Sequence, residues 1–297
     1  MAIVAISRQK YIDESVSEAV SLCGGLKFIE RDDTVLIKPA VDNDLPSPAT
    51  VSEQVVRSLS ELCLTVKPEK LIVADRSNYS YSTLQAMKKT GIYPAIIESG
   101  AEIVDYDEGP WTRLYNDEAK LWLDGLEAPS FLINVDKMIN LCLCKTHRLT
   151  GFNGALVNLI GLINPKDRIN GLHRTHEEPA FSERIAELNL FFKSNLTVMD
   201  ATSVFLDEGP ESGLFAHPGI IIASDDPVAA DIVGMALLKS LGAKGRLEST
   251  GVWEMPQVKR SISLGLGPKN PGEISLKGNI PEIENVLKFI NTVSKAA

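Results

Sequence analysis

The sequence predicts an α/β fold in which mostly parallel sheets are flanked by helices, in Rossmann-like layers. Short runs rich in Val, Ile and Leu alternate with amphipathic stretches along the chain, which is the pattern of βαβ units. Apolar residues make up 44% and charged residues 23%, a globular composition that excludes disordered and fibrous chains. The length of 297 residues allows one domain, 1–297, or two lobes, 1–130 and 131–297.

Up to residue 106 the strands and helices alternate regularly. Runs of β-branched and other apolar residues predict strands at Ile3–Ile6, Thr34–Ile37, Leu71–Ala74 and Ile103–Tyr106, and apolar residues at helical spacing predict helices at Tyr11–Cys23, Val51–Leu64 and Tyr81–Lys89. Gly91, Pro94 and Gly100 interrupt the pattern between the last helix and the last strand of this set. The polar segment Asp107–Pro129 that follows is interpreted as a hairpin or an insertion.

The second half of the chain repeats the alternation around a glycine-rich stretch, Thr150–Gly171. Predicted strands are Phe131–Val135, Asn140–Lys145, Leu196–Met199, Gly219–Ala223 and Glu273–Leu276. Predicted helices are Ala155–Ile163, Phe181–Lys193, Pro227–Leu241, Met255–Leu264 and Pro281–Val293. Asp226 is positioned to cap the third of these, because a carboxylate one residue before the first turn can accept from the free backbone N–H groups.

Charge and cysteine usage exclude several classes of protein. The 30 Lys and Arg residues against 39 Asp and Glu give a net charge of −9, so we expect no nucleic-acid partner, although a local basic pocket for a small anion is compatible with this balance. No run of 18 apolar residues occurs, so we expect no membrane span and a cytoplasmic location. The four cysteines have neither disulfide-framework nor ferredoxin spacing, so we expect no iron–sulfur domain.

Histidine supplies the first candidate catalytic residues. His147, His173 and His176 fall within thirty residues around the glycine-rich stretch, and histidine titrates near neutrality and is the commonest metal ligand. His147 follows a predicted buried strand, which is where α/β folds place active residues. We favour His147 and His173 and attribute His176 to a charged surface loop, because Gly171 and Pro179 flank it.

Other candidates follow from strand and loop chemistry. Alternation along the strand places Lys145 on the same face as His147 and the thiols of Cys142 and Cys144 on the opposite face. Asp200 ends a predicted strand and is a candidate to orient one imidazole.

Candidate substrate-binding residues Gly209, Ser212 and Gly213 belong to a turn-rich segment whose backbone amides suit an anion. The sequence contains no dinucleotide fingerprint, Walker A loop, nucleophile elbow or HExxH motif.

An ordered set of motifs resembles the family catalogued as domain of unknown function 362. The motifs, spread over residues 34–277, are Val35-Leu36-Ile37-Lys38-Pro39, Lys145-Thr146-His147 with Asn158 and Gly161 downstream, Leu172-His173, Met199-Asp200-Ala201, Glu208-Gly209-Pro210 with Ser212-Gly213, and Ser224-Asp225-Asp226-Pro227-Val228-Ala229-Ala230-Asp231. The resemblance implies one family domain and adds Lys38 and Asn158 as candidate substrate-binding residues. This chain has Ala40 where members of the family often carry Asn, and we expect no ferredoxin-like cluster domain of the kind that many of them carry.

The family in turn has a remote resemblance to the N-terminal domain of nickel-pincer lactate racemase. There a histidine, a cofactor-tethering lysine and a second histidine follow at the spacings that separate His147, position 157 and His173 here. Position 157 is Val157, and a valine cannot form the covalent link. We therefore expect no tethered nickel-pincer nucleotide, and the cofactor is left unassigned.

Three hypotheses of function remain open at this point. The leading one is proton transfer of the isomerase, epimerase or racemase type on a small anionic organic substrate, with His147 and His173 as acid and base of pKa near 7 and with Lys145 or Lys38 holding a carboxylate. The second is metal-dependent or redox chemistry with His147 and His173 as ligands. The third is a non-catalytic binding or carrier protein that has lost the family lysine at Val157, and a homo-oligomer is compatible with all three.

Overall fold

A central sheet of eight strands organises the protein. The computed structural model describes residues 1–172 and 179–292. In sheet order the strands are β14 (Ile274–Lys277), β1 (Ala2–Ser7), β13 (Ile220–Ser224), β10 (Leu196–Ala201), β7 (Lys137–Leu143), β2 (Thr34–Lys38), β3 (Lys70–Val73) and β4 (Glu102–Ile103). Only β13 runs antiparallel to its two neighbours, and the other neighbouring pairs are parallel. The predicted α/β class with a mostly parallel sheet is confirmed.

Helices cover both faces of this sheet. They are α1 (Ile12–Leu22), α2 (Glu53–Thr65), α3 (Thr83–Lys89), α4 (Ile92–Ser99), α5 (Ala155–Asn158), α6 (Pro165–Asp167), α7 (Ala180–Glu187), α8 (Pro227–Ser240), α9 (Arg246–Ser249), α10 (Pro256–Ser263) and α11 (Ile283–Asn291). Side chains alternate across each strand, so Leu36 joins one hydrophobic cluster with α8 and Ile37 joins a second cluster with α1, α2 and α4. This two-sided burial explains why the strands are nearly continuous apolar runs.

Helix ends follow the capping chemistry expected from the sequence. The Asp226 carboxylate accepts from the Ala229 backbone N–H at 2.8 Å, and Pro227 occupies the first position of α8. The Ser52 hydroxyl accepts from Gln54 at the start of α2. Helix α4 was not predicted, because it is short, carries Pro94 in its first turn and lies between two glycines. In the structure these glycines have left-handed φ of 80° and 91° and bound the helix.

Smaller paired strands lie outside the sheet. The segment Asp107–Pro129 contains a hairpin of β5 (Trp111–Leu114) and β6 (Leu126–Pro129), which is one of the two interpretations given for it. Two more hairpins are β8 (Lys145–His147) with β9 (Gly151–Asn153), and β11 (Val204–Phe205) with β12 (Phe215–Ala216).

One predicted strand is wrong. Residues Ser130–Asn134 form a 3₁₀ helix where a buried strand was predicted at Phe131–Val135. Ile133 is 71% exposed, whereas Phe131, Leu132 and Val135 are partly buried and pack against the core. The run therefore connects β6 to β7 without joining the sheet.

Strands from both halves of the chain meet in the same sheet. Strand β1 lies between β14 and β13, and β2 pairs with β7. Within the described residues no helix combines the length and apolar composition needed to span a bilayer.

Candidate active site

A cavity of about 410 Å³ opens at the carboxyl ends of β2, β3 and β7. Residues that line it come from those strand ends, from β8, from α5 and its continuation, and from the segments around residues 76–80, 168 and 210. Side chains at the carboxyl ends of parallel strands point into a shared crevice, which is where open α/β sheets bind ligands. The cavity therefore lies where the topology predicts a binding site.

The lining is positively charged although the protein is acidic. Lys38, Arg76, Lys145, Arg148 and Arg168 line the cavity, against three carboxylates, while the whole chain has a net charge of −9. A concave surface of one sign focuses its potential and concentrates ligands of the opposite sign. The cavity is thus suited to an anion.

Lys38 forms the buried ionic centre of this cavity. Its Nζ pairs with Asp75 Oδ1 at 2.7 Å and donates to Asn158 Oδ1 at 2.7 Å and to the Pro39 carbonyl at 3.0 Å. Two hydrogen bonds and one ion pair therefore surround this ammonium with protein groups. Lys38 lines the cavity as predicted, and these partners indicate that it organises the cavity rather than binding a substrate.

The residues around Lys38 are arranged to hold it. A side chain at Gly161 would place its Cβ 2.1 Å from Asp75 Oδ1, so only glycine fits there. The Asn158 amide nitrogen donates to Asn140 Oδ1 at 2.7 Å. Asn158 also lines the cavity, yet both ends of its side chain are used within the protein, so its predicted substrate-binding role becomes one of supporting Lys38.

Lys145 has a different hydrogen-bond balance. Its side chain is fully buried and donates to the Ala49 carbonyl at 2.6 Å and to the Pro210 carbonyl at 3.0 Å. Its third N–H has no partner among residues 1–172 and 179–292, and the residue lines the cavity. Burial lowers the pKa of Lys145 to about 8, with Asp42 and Glu211 opposing the shift. Lys145 can therefore hold or release a proton near neutral pH.

His147 presents a neutral imidazole. Its Nδ1 accepts from the backbone N–H groups of Leu149 and Thr150, both at 3.2 Å, so the proton of the neutral ring resides on Nε2. Burial and the charges of Lys145 and Arg148 lower the pKa of His147 to about 3. The expectation of a pKa near 7 is therefore wrong for His147, because the ring is desolvated beside two cations.

This tautomer also bears on the metal hypothesis. A histidine that binds metal through Nε2 normally donates from a protonated Nδ1 to an acceptor, whereas Nδ1 of His147 is itself the acceptor. The described part of the chain contains no group of three His, Cys, Asp or Glu side chains placed to hold a metal ion. His173, the second predicted ligand and catalytic residue, lies outside the described residues.

The comparison with protein families matches residues 35–236 to the family described as Domain of unknown function (DUF362). The chain belongs to the DUF362 family. The matched region begins in β2 and ends in α8, and it contains every described residue that lines the cavity. Comparisons with curated proteins and with solved structures find no match.

The strand face predicted for the DUF362 motif around His147 is present in the structure. Leu143, Lys145 and His147 all line the cavity, while Cys142 and Cys144 are fully buried on the other side in a hydrophobic cluster. Burial raises the pKa of both thiols well above the ordinary value, so they are packing residues.

Asp200 makes its hydrogen bonds within the described residues to two backbone N–H groups and one hydroxyl. Its Oδ2 accepts from the Ser52 backbone N–H at 2.8 Å, and its Oδ1 accepts from the backbone N–H and the hydroxyl of Thr202 at 2.9 and 2.6 Å. It is not among the residues that line the cavity. These contacts fix the start of α2 to the end of β10, so Asp200 orients backbone and no imidazole of the described residues.

The predicted anion loop contributes through different atoms. Pro210 and Glu211 line the cavity, whereas Ser212 and Gly213 are exposed and lie outside its lining. Gly209 packs against the backbone of β8, where a Cβ would fall 2.1 Å from the Thr146 carbonyl oxygen. The loop therefore holds Lys145 through the Pro210 carbonyl.

Three cationic residues of the DUF362 cavity were missed from the sequence. Arg168 is buried and donates to the carbonyls of Ile163, Ser77, Arg76 and Gly161 at 2.9–3.0 Å. Arg76 follows Asp75 and lies three residues after the end of β3, a position near a strand end that could have identified it. Arg148 is exposed beside His147; Arg168 lies in a stretch without strand signals, so the sequence did not reveal it.

Val157 lines the cavity with 8% of its surface exposed. Its hydrocarbon side chain offers no amine for a covalent bond, so the residue at this position does not fit a tethered nickel-pincer group.

A buried carboxylate in α8 positions the short helix that carries Val157. Asp231 Oδ1 accepts from the Ala155 backbone N–H at 2.5 Å and Oδ2 accepts from that of Leu156 at 3.2 Å. A side chain at Gly154 would place its Cβ 2.2 Å from the same carboxylate. Asp231 therefore fixes the first turn of α5 against α8.

Substitution of Asp231 should change how stability depends on pH. Burial raises its pKa to about 7, whereas an unfolded Asp releases its proton near pH 4. The folded state thus holds a proton that the unfolded state has lost, and the stability from this group is lost as pH rises from about 4 to about 7. Asp231→Asn cannot accept at both positions, so we expect it to cost about 1–3 kcal/mol at pH 5.

The measurement compares thermal unfolding of the wild type and Asp231→Asn between pH 5 and pH 8. The difference in Tm should narrow as pH rises, because only the wild type loses the contribution of a protonated Asp231. A difference that stays constant or widens would contradict the raised pKa.

Proposed function

We propose that this DUF362 protein is an enzyme that moves a proton at a carbon atom of a small anionic organic substrate, with isomerase-like acid–base chemistry. The observation that carries the proposal is the pairing, in one positively charged cavity, of Lys145, whose pKa is about 8, with a neutral His147 whose Nε2 bears the proton. A base works best when its pKa lies near the working pH. We also propose that the protein acts in the cytoplasm, since its four cysteines are free.

Each residue then has a defined part in the reaction. Neutral Lys145 accepts a proton from the carbon next to a carboxylate or carbonyl group, and negative charge moves to the oxygen. The Nε2–H of His147 donates to that oxygen, which stabilises the charge as it develops. The ammonium of Lys145 exchanges its protons with water and then delivers one to the carbon, which exchanges the carbon-bound hydrogen. Delivery to the opposite face or to a neighbouring carbon gives the isomer, and Arg148 holds the anionic group. His173 stays a prediction as a second proton-transferring residue.

The first experiment measures binding and exchange together. Carboxylic acids with a 2-hydroxy, 2-oxo or 2-amino group and their primary amides are compared by thermal shift, and the acids that raise Tm are incubated with the protein in D₂O. We expect acids to bind better than their amides and at least one acid to exchange its carbon-bound proton, seen by proton NMR. Binding without exchange would favour the carrier hypothesis, and equal binding of acids and amides would contradict an anionic substrate.

Two substitutions of His147 test its role as a donor. His147→Gln can donate from the position of Nε2, whereas His147→Phe cannot, and both remove the acceptor for Leu149 and Thr150 equally. We expect His147→Phe to lower the exchange rate by about 10²–10³ and His147→Gln to lower it much less. The wild-type rate should show no inflection from His147 between pH 5 and pH 7, because its pKa is about 3. Equal losses in the two variants would argue against donation from Nε2.

A further inference from the structure

We propose that the substrate is a carboxylate with an apolar arm of several carbon atoms, and that Val157 and Ile160 set the length of arm the cavity accepts. The position of the carboxylate rests on the proposed function, while the apolar arm rests on a separate part of the lining.

The charged and polar groups of the cavity differ in whether protein groups already hold them. Lys145, His147 and Arg148 belong to β8 and the turn that follows it. The other cationic lining residues, Lys38, Arg76 and Arg168, and the Asn158 amide make their hydrogen bonds and ion pairs within the protein. A charged head group is therefore directed to the end of the cavity formed by residues 145–148.

A second part of the lining is hydrocarbon. Val157 in α5, Ile160 in the 3₁₀ turn Leu159–Leu162 and Phe181 in α7 line the cavity. Val157 and Phe181 belong to one continuous hydrophobic cluster, and Ile160 packs against it. Val157 and Ile160 lie three residues apart in consecutive helical turns and so share one side of this segment. With Phe181 they form the apolar wall of the cavity, which can receive an extended apolar group.

The volume of the cavity is larger than a very small ligand would fill. The cavity measures about 410 Å³, within the range of about 300–1,000 Å³ of pockets for ligands much larger than a two- or three-carbon acid. Such an acid, bound at Lys145, would leave the apolar wall without contacts, and unfilled space forfeits the dispersion energy of its lining. An apolar arm fills this space.

The test is a chain-length series on the full-length protein. Straight-chain carboxylates from acetate to octanoate, and the matching primary amides, are titrated calorimetrically into the wild type. Burial of each added methylene should raise the affinity about fourfold until the arm fills the cavity, after which the affinity should stop rising.

Two substitutions in the apolar wall should shift the break in the chain-length series in opposite directions, which a general loss of stability would not do. Val157→Phe should move the break in the series to shorter acids, and Ile160→Ala should move it to longer acids. Ile97→Ala is the matched control, because Ile97 is an exposed apolar residue outside the cavity and should leave the series unchanged.

The outcomes separate the two proposals. The apolar arm is overturned if affinity does not depend on chain length, or if neither Val157→Phe nor Ile160→Ala moves the break. In either case a preference for acids over amides still supports the proposed function. Amides that bind as tightly as acids with the same chain-length dependence support the arm and contradict the anionic head group. Absence of binding by every acid and amide overturns both.

Discussion

Lys145→Met should lower carbon-proton exchange by about 10²–10⁴, the range that a positioned general base contributes. Methionine preserves the length of the side chain but removes its proton-accepting nitrogen. It also removes the donor to the carbonyls of Ala49 and Pro210, so the variant must be shown to fold by circular dichroism. The exchange rate is measured by proton NMR in D₂O with an acid that the wild type exchanges.

Lys145→Arg separates the charge of this residue from its proton transfer. A guanidinium stays protonated at working pH, so the variant should still bind the anion but should lose exchange nearly as completely as Lys145→Met. A variant that keeps exchange would show that Lys145 acts only through its charge, and the base would have to be sought elsewhere.

The pH dependence of kcat/KM distinguishes Lys145 acting as a base from Lys145 acting as a charged anchor, because the two roles predict slopes of opposite sign. Only the neutral amine accepts a proton, and the pKa of Lys145 is about 8, so kcat/KM should rise about tenfold per pH unit below that value and level off above it. If Lys145 instead served only as a charged anchor, kcat/KM would fall above pH 8. The direction of the profile therefore distinguishes a base from an anchor.

Much of the fold was predictable because burial on both faces leaves a strong signal in the strands. The runs at residues 34–37 and 196–199 lie in β2 and β10, and the run at 71–74 overlaps β3. The alternation of apolar runs with helices is local information that a sequence displays directly. The errors arose where local and tertiary information diverge. Residues 131–135 pack most of their apolar side chains against the core from a 3₁₀ turn, and a short apolar run does not distinguish such a turn from a strand. Helix α4 carries a proline and is bounded by glycines, so its pattern resembled a loop.

The site was predictable in its position and less so in its chemistry. Strand position identified His147 and Lys145, the family resemblance added Lys38, and all three line one cavity. Whether a lysine has a donor left for a ligand depends on partners distant in sequence, such as Asn158 for Lys38. The pKa of His147 depends on burial and on its neighbours, which no spacing encodes.

The buried pair of Lys38 and Asp75 should dominate the stability of the cavity. Their side chains are 2% and 3% exposed and lie 2.7 Å apart, and removal of one partner leaves an uncompensated charge in a low-dielectric environment. We therefore expect Lys38→Met and Asp75→Asn each to lower the free energy of unfolding by about 3–5 kcal/mol. The measurement is chemical unfolding followed by intrinsic fluorescence.

The double variant Lys38→Met/Asp75→Asn tests the cause. It removes both charges, and the amide oxygen introduced by Asp75→Asn can still accept from the Val41 backbone N–H, which in the wild type donates to Asp75 Oδ2 at 2.7 Å. We expect the double variant to be less destabilised than the sum of the single variants by more than about 1 kcal/mol, as contacting residues in one network are coupled.

The ion pair of Lys70 and Glu102 is the matched control, because it has nearly the same separation, 2.8 Å, but its side chains are 43% and 62% exposed. The equivalent cycle with Lys70→Met and Glu102→Gln should give a coupling of about 0.2–1 kcal/mol. A coupling at Lys38 and Asp75 no larger than that of the surface pair would mean that water reaches the base of the cavity. In that case burial could not account for the lowered pKa of Lys145 either, so this cycle also tests the physical basis of the proposed chemistry.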